Sequence, residues 1–559
     1  MTRTGWLVIL TALALGSVGS AMAQEPKVGN DWYEDTVDYG FKIKVPKDWG
    51  LIPPQPNEPN VLASYSASFN SQIMIGGQGA ALPIHMALLR FDSRPERKNS
   101  KTIKLGGQTV EYTVPPSTDV HKWLKERIAY GVNWRFDSEK YPKPLKVKGS
   151  EEAQYWVYEG NHRAESEVTI SAYVAEFSLE PNVKICLYGS GPGDKKWRDY
   201  ESAWSKMAAS FARVAVEEVA VDPAAAMGSP RAKKRADLQR TVASQAGWRL
   251  LETENYFILT NDDDEGFLEE LMVRLEAIRS VYSEHYPPEK ARAIVKKPKK
   301  EKEGEKGEER PAAGGEGEGK KEEDGSVTAL DPVEASRMSV LRVCRDEQTY
   351  FAYGGPGGSA GYWNWVDEEL VIYDDKAGGG RNDTWITLNH EAFHQYIHYF
   401  YGEIDIHSWY NEGTGDFYSG YQLKHSRFVL GTNSWRETTV QGMLREGPTT
   451  KEGRKRGEGY VPLKEFVTWS QGQYYGNNSY DVGGIECYAQ GWSLAYFLRT
   501  GAKSKAKGWR PEWDKILDTY LETLATTGDL DEAVDKAFPF GDAEWEAFEN
   551  AWKSYILSI

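Results

Sequence analysis

Two histidines four residues apart, His390 and His394, flank a glutamate in Trp385-Ile-Thr-Leu-Asn-His-Glu-Ala-Phe-His394. On a helix, positions i and i+4 lie one above the other, so imidazoles at this spacing can close on one metal ion. Glu391, one position round, is then poised to take a proton from a water held at that metal. A catalytic zinc uses three protein ligands and keeps a fourth position open. Glu412, within Trp409-Tyr-Asn-Glu-Gly-Thr-Gly-Asp416, is the natural third ligand. With nine histidines in 559 residues, chance would produce His-Glu-x-x-His on the order of once in a hundred such chains. The chemistry expected is hydrolysis assisted by a bound Zn2+.

A helix must carry the pair. At helical spacing Leu388, Ala392, Phe393 and Tyr396 face a core while His390, Glu391 and His394 face a cleft. His398 competes for the third-ligand role but lacks a recognised spacing. A metzincin would place that histidine at position 400, with glycine at 397; the chain has Phe400 and Ile397. His398 therefore reads as a packed helix residue and His407 as a loop residue. The bland alternative for Glu412 and Asp416 is that of first-turn acids favoured by the helix dipole.

Asn411-Glu412-Gly413-Thr414-Gly415-Asp416 resembles the second motif of gluzincins, the thermolysin and aminopeptidase N superfamily. The resemblance implies that Glu412 completes the zinc site from a second helix. It also implies that the acid four residues on, Asp416, supports a ligand histidine. A metal-bound imidazole usually donates its other N–H to a carboxylate or carbonyl, which assigns Asp416 to His390 and Asn411 to His394. Tyr488-Ala-Gln-Gly491 resembles the Tyr-x-Lys-Gly helix start of the aminopeptidase N family, where the tyrosine donates to an oxyanion. Gln490 replaces the lysine, so the match rests on Tyr488 and Gly491. Tyr474, Tyr475 and Tyr480, in a loop rich in Tyr, Gly and Asn, stay open as rivals. Residues 251–559 are most similar to bacterial peptidase-MA-like proteins. The segment by which aminopeptidases hold a free N-terminus is absent, so endo- and exopeptidase action both stay open.

The rest of the chain sets the context. A net charge of -16 argues against nucleic-acid binding, which needs a basic footprint. Arg3, the apolar run Trp6–Leu15 and Ala21-Met-Ala23 read as a signal peptide over 1–23, implying a periplasmic or secreted protein. No later apolar run is long enough to span a bilayer. Three cysteines, Cys186, Cys344 and Cys487, read as small buried residues rather than a disulfide framework.

Residues 30–215 read as an α/β domain. Tyr39–Pro46 alternates apolar and polar as a strand does, and Tyr200–Phe211 has helical spacing with Trp204, Met207 and Phe211 on one side. Gly40–Trp49 and Ser202–Phe211 resemble the opening and closing motifs of PsbP-like domains, which implies binding or structural duty. A linker is expected over 216–250. A strand near Asn255–Thr260 and a helix with Leu268, Leu271, Leu275, Ile278 and Tyr282 on one face then open the second domain. Lys296–Ser326, rich in Lys, Glu, Gly and Pro and without an aromatic or β-branched residue, reads as a disordered insertion.

Glycines 354–361 lack the Gly-Lys-Ser/Thr ending of a phosphate loop. A hairpin follows, and resemblance to zinc peptidases, where an edge strand just before the metal helix pairs with an extended substrate, implies that role for Leu370–Tyr373. Trp513–Ile559 reads as two or three amphipathic helices. The expected fold is α+β: a PsbP-like α/β domain, then a gluzincin-type zincin domain with a small mixed sheet and a mainly helical end. The partner expected is a peptide or protein substrate. A rival from another class is a cell-envelope binding protein that retains a zincin scaffold without catalysis. Intact Glu391 argues against it, because a scaffold needs the ligands but not the base.

Overall fold

A computed structural model describes residues 25–559 except 53, 55–57, 67–71, 76–79, 95–100, 106–107, 113–116, 127–131, 149, 151, 163–168, 217–227, 244, 246, 296–330, 365–366, 377–379, 403, 425–426, 449–458 and 481. The expected signal peptide and charged insertion lie outside the described residues. Two compact units are present: Met1–Glu270 with Val340–Thr387, and Leu271–Ser339 with Leu388–Ile559. Architecture is mixed α and β, with several sheets and many helices.

The first unit is built on an antiparallel sheet. Its path runs Val132–Arg135, Ala153–His162, Thr169–Glu180, Val183–Pro192, His85–Asp92, Val61–Ser66, Gly50–Ile52. Central strands of this sheet are almost wholly buried, Thr169–Glu180 and Val183–Pro192 among them. The helix Trp197–Ala209 covers it with Tyr200, Trp204 and Met207. That approach needs glycine: a Cβ on Gly189 would lie 2.4 Å from the Trp204 ring. Phe211 lies just past the helix end rather than on it and stacks on Phe177 at 4.1 Å. Phe41, in the strand Phe41–Pro46, packs on the other side of Phe211.

A second sheet in this unit orders Arg249–Glu252, Tyr256–Thr260, Ser339–Cys344, Glu369–Tyr373 and Gly361–Asn364. Ser339–Cys344 and Glu369–Tyr373 run parallel and are buried throughout, as strands covered on both faces must be. The hairpin forms with Gly361–Asn364 antiparallel to Glu369–Tyr373. Its second strand is interior, so the edge that could accept another strand is Gly361–Asn364, contrary to expectation. The difference arises because the parallel pairing to Ser339–Cys344 occupies one side of Glu369–Tyr373. Tyr350–Tyr353 lies in a helix, Glu347–Tyr353, whose N-cap Asp346 accepts from Thr349 and which closes on Gly354 at φ 109°.

The second unit is mainly helical. Leu271, Leu275, Ile278 and Tyr282, on the helix Glu265–His285, are fully buried. Three α-helices end the chain, Ile516–Thr527, Leu530–Ala537 and Asp542–Ile556. Leu517, Leu521, Leu524, Phe538, Trp545, Phe548 and Trp552 are buried in it. All three cysteines are free and buried. Among the described residues no helix is long and apolar enough to cross a membrane.

Candidate active site

The His-Glu-x-x-His segment lies in the helix Arg381–Tyr401. Leu388, Ala392, Phe393 and Tyr396 are buried, whereas His390, Glu391 and His394 keep partial exposure. The 3.6-residue period thus separates a packing stripe from a chemical one. Local anchoring is polar as well as apolar. Tyr282 donates to the carbonyl of Asn389 at 2.6 Å, one residue before the first histidine.

Asn411, Glu412 and Asp416 lie on the helix Ser408–Ser419, where ten of the twelve residues are buried and the two exceptions are Asn411 and Glu412. Such burial requires close neighbours on all sides, and glycine supplies them. A Cβ on Gly413 would stand 2.4 Å from the carbonyl oxygen of Gly491, and one on Gly415 would stand 2.8–2.9 Å from the ring of His390. The Gly413–Gly491 approach packs the helix Gly484–Thr500 against Ser408–Ser419. Tyr488, one turn before Gly491, is thereby brought near Glu412, whose charge acts on its phenol.

The cluster is compact. His390 Nε2 lies 3.2 Å from Glu412 Oε2, and His394 Nε2 lies 3.9 Å from the same oxygen. Candidate ligand atoms of His390, His394 and Glu412 all fall within 4.8 Å of one another. Tetrahedral bonds of ~2.0–2.1 Å place neighbouring ligand atoms roughly 3.3–3.4 Å apart. The observed separations bracket that figure, so these residues fit a small divalent cation with little movement. His390 Nδ1 faces Asp416 Oδ1 at 3.2 Å. When Nδ1–H is donated there, the neutral ring turns its Nε2 lone pair toward Glu412, the tautomer a metal ligand needs.

Asn411 donates to Glu412 Oε1 at 3.2 Å. Its side chain also lies near enough to favour a charged His394, although His394 Nδ1 makes no hydrogen bond of good geometry. The structure thus brings Asn411 to Glu412 more directly than to His394.

Charge in the cluster is unevenly shared. Burial pulls His390 down, but hydrogen bonds to Asp416 and Glu412 and the charge of Glu391 outweigh it and hold the imidazole well above its ordinary value. His394 is lowered, chiefly by burial, with the neighbouring His390 adding to it. Burial alone would raise Glu412. The His390 hydrogen bond, both imidazole charges and the Tyr488 hydroxyl reverse this and bring it to about 2. Burial and then Glu412 push the Tyr488 phenol far up, so it is a hydrogen-bond donor at neutral pH.

Three further residues shape the site, and of these only Arg436 lies outside the segments singled out from the sequence. Arg436, on the helix Ser434–Glu446, pairs with Asp416 through Nε at 2.6 Å, off the line a hydrogen bond needs, while its guanidinium covers the Tyr488 ring at 4.8 Å. Gly415 makes room for the His390 ring. Tyr475 places its hydroxyl 3.3 Å from that of Tyr488, and the charge of Glu412 raises its phenol after burial. Of the other tyrosines, Tyr480 donates to Glu465, whereas Tyr474 lies against the Tyr488 ring at 5.6 Å with its buried hydroxyl near Gly491 and without a hydrogen-bond partner. His407 is buried and bonded to the Tyr520 hydroxyl at 2.9 Å.

The chain matches no protein-family model and no curated protein sequence. Among solved structures it is similar to the solution structure of cyanobacterial PsbP (CyanoP) from Synechocystis sp. PCC 6803. Identity is 15%, over 35% of this chain and 97% of that one, with a TM-score of 0.21.

Proposed function

We propose that the chain is an exported zinc metallopeptidase of gluzincin type, with a PsbP-like domain ahead of the catalytic one. The observation that carries this reading is the convergence of His390, His394 and Glu412 within 4.8 Å, with Asp416 on the back of His390. Two imidazoles and one carboxylate are a donor set suited to catalytic zinc. Export rests on the N-terminal basic, apolar and Ala-x-Ala pattern. The PsbP-like assignment rests on Gly40–Trp49 and Ser202–Phe211.

When bound, zinc would polarise a substrate carbonyl and lower the pKa of a water toward ~7. Glu391 takes the proton of the attacking water and returns it to the leaving amine. Tyr488 donates its hydroxyl hydrogen to the oxyanion that develops on the carbonyl. Asp416 fixes the His390 tautomer and orientation, and Arg436 holds Asp416 in turn. Peptide or protein is the substrate class.

The test compares wild type with Glu391→Gln for metal content and for cleavage of a peptide library. Wild type should bind one zinc per chain and cleave. The variant should keep its zinc and lose cleavage by roughly 10²–10⁴-fold. Bound zinc without cleavage by wild type would turn the reading to a binding protein on a retained scaffold, and absence of stoichiometric metal would remove the site.

A further inference from the structure

The second unit holds a buried cation that the proposed chemistry does not use. Arg499 lies in the last turn of the helix Gly484–Thr500, and its Nε and Nη2 are buried without a hydrogen-bond partner. Among the described residues it makes no ion pair. The carboxylate whose charge acts on it, Asp518, is held by Lys290 at 2.9 Å. What surrounds Arg499 is phenolic: its guanidinium covers the Tyr286 ring at 5.0 Å, and Tyr410 and Tyr418 share its field.

A donor inventory sharpens the point. Tyr418 bonds to Nδ1 of His285 at 2.7 Å. Burial, followed by the charges of Arg499 and Lys503, keeps His285 neutral at about 3, so it adds no positive charge and shares one hydrogen with Tyr418. The hydroxyls of Tyr286 and Tyr410 lie 3.0 Å apart and share one hydrogen between them. Neither hydroxyl has a second partner among the described residues, so one phenolic hydrogen is left over. Around Arg499 the buried guanidinium N–H groups and one phenolic O–H are therefore donors without a paired carboxylate.

A buried unpaired guanidinium is among the costliest arrangements in a protein. The helix C-terminus offsets only about half an elementary charge, and the Tyr286 face offsets part of the rest. We infer that Arg499, Tyr286 and Tyr410 form a buried binding site for a small monovalent anion of halide size. The anion would accept from Arg499 Nε and Nη2 and from the free hydroxyl of the tyrosine pair. Arg499 as a residue keeps partial exposure, which leaves a route for the ion. Tyr410 immediately precedes Asn411 and Glu412, so the ion would also brace the helix that carries them. The inference does not depend on the peptidase reading.

The experiment follows thermal unfolding of the full chain in sodium chloride against sodium gluconate at fixed ionic strength. The apparent Tm of wild type should rise with chloride, by roughly 2–4 °C at tenfold excess over Kd, and continue logarithmically above it. Arg499→Gln should abolish that dependence, and a Tyr286→Phe, Tyr410→Phe double variant should move its onset to higher chloride. Equal curves in chloride and gluconate, or an unchanged chloride response in Arg499→Gln, would overturn the site. Should Arg499→Gln fail to fold, a crystal of wild type in sodium bromide decides. An anomalous peak within hydrogen-bonding distance of Arg499 supports the site, and its absence there refutes it.

Discussion

Each unit of the molecule buries a carboxylate, and the two are neutralised in opposite ways. In the first unit Glu369 accepts from Arg342 at 3.0 Å and from the Tyr353 hydroxyl, while Arg342 sits between the Trp248 and Tyr353 rings. The cation is supplied by the chain, is permanent, and closes the arrangement. In the second unit Glu412 faces two imidazoles and two phenols, and among the described residues no Lys or Arg pairs with it. Its partners carry lone pairs that can be turned to a metal. A buried carboxylate with a guanidinium is a brace, whereas one with imidazoles has the donor set of the metal site proposed above. Arg499 is the mirror image, a buried cation awaiting an anion.

The contrast can be broken by exchanging like for like. Glu369→Gln leaves Arg342 buried without a counter-charge and should destabilise the protein by about 3–5 kcal/mol in chemical denaturation. Glu412→Gln should destabilise the metal-free protein by less than that, because His390 can shed its proton whereas Arg342 cannot. Its zinc affinity, measured by competition with a chelator, should fall by more than the roughly 10–100-fold that loss of a supporting partner costs. If Glu412→Gln keeps its zinc as tightly as wild type, the second half of the comparison fails.

Histidines extend the test to pH. His407 is bonded to a phenol rather than a carboxylate, and burial pushes it down to about 4, against an ordinary ~6.5. The unfolded chain therefore binds the extra proton between those values. Stability should be full above pH ~6.5 and fall by about 3 kcal/mol as pH drops through 4. His407→Gln should flatten that part of a Tm–pH curve, and an unchanged slope would acquit His407. Smaller effects concern the supports of His390. Asp416→Asn should weaken zinc binding roughly 10–100-fold while the fold persists. Arg436→Met, one step further out, should cost no more than about tenfold, being an indirect support. A larger loss for Arg436→Met than for Asp416→Asn would reverse their order.

Much of the local structure was legible in the residues. The buried stripe of the motif helix, the leucine face opened by Leu268 and the strand around Phe41 all follow from periodicity, because 3.6 and 2 are properties of backbone geometry alone. The interior place of Glu369–Tyr373 was not legible. Pairing partners distant in sequence decide which strand of a hairpin becomes an edge. Nor could the motif distinguish Tyr488 from Tyr475, since both phenols arrive at Glu412 from separate segments.

By itself, then, the sequence determined that His390, Glu391 and His394 share one helical face, because spacing along a helix is a local property. It also marked Glu412 and Asp416 as the pair, four residues apart, able to meet that face. Only the tertiary structure decided that Gly413 and Gly491 let two helices approach within glycine distance, that Gly415 makes room for the His390 ring, and that Arg436 stands behind Asp416. It alone left Arg499 without a carboxylate. Which groups meet across a core depends on the packing of side chains remote in sequence, and no short-range period encodes it.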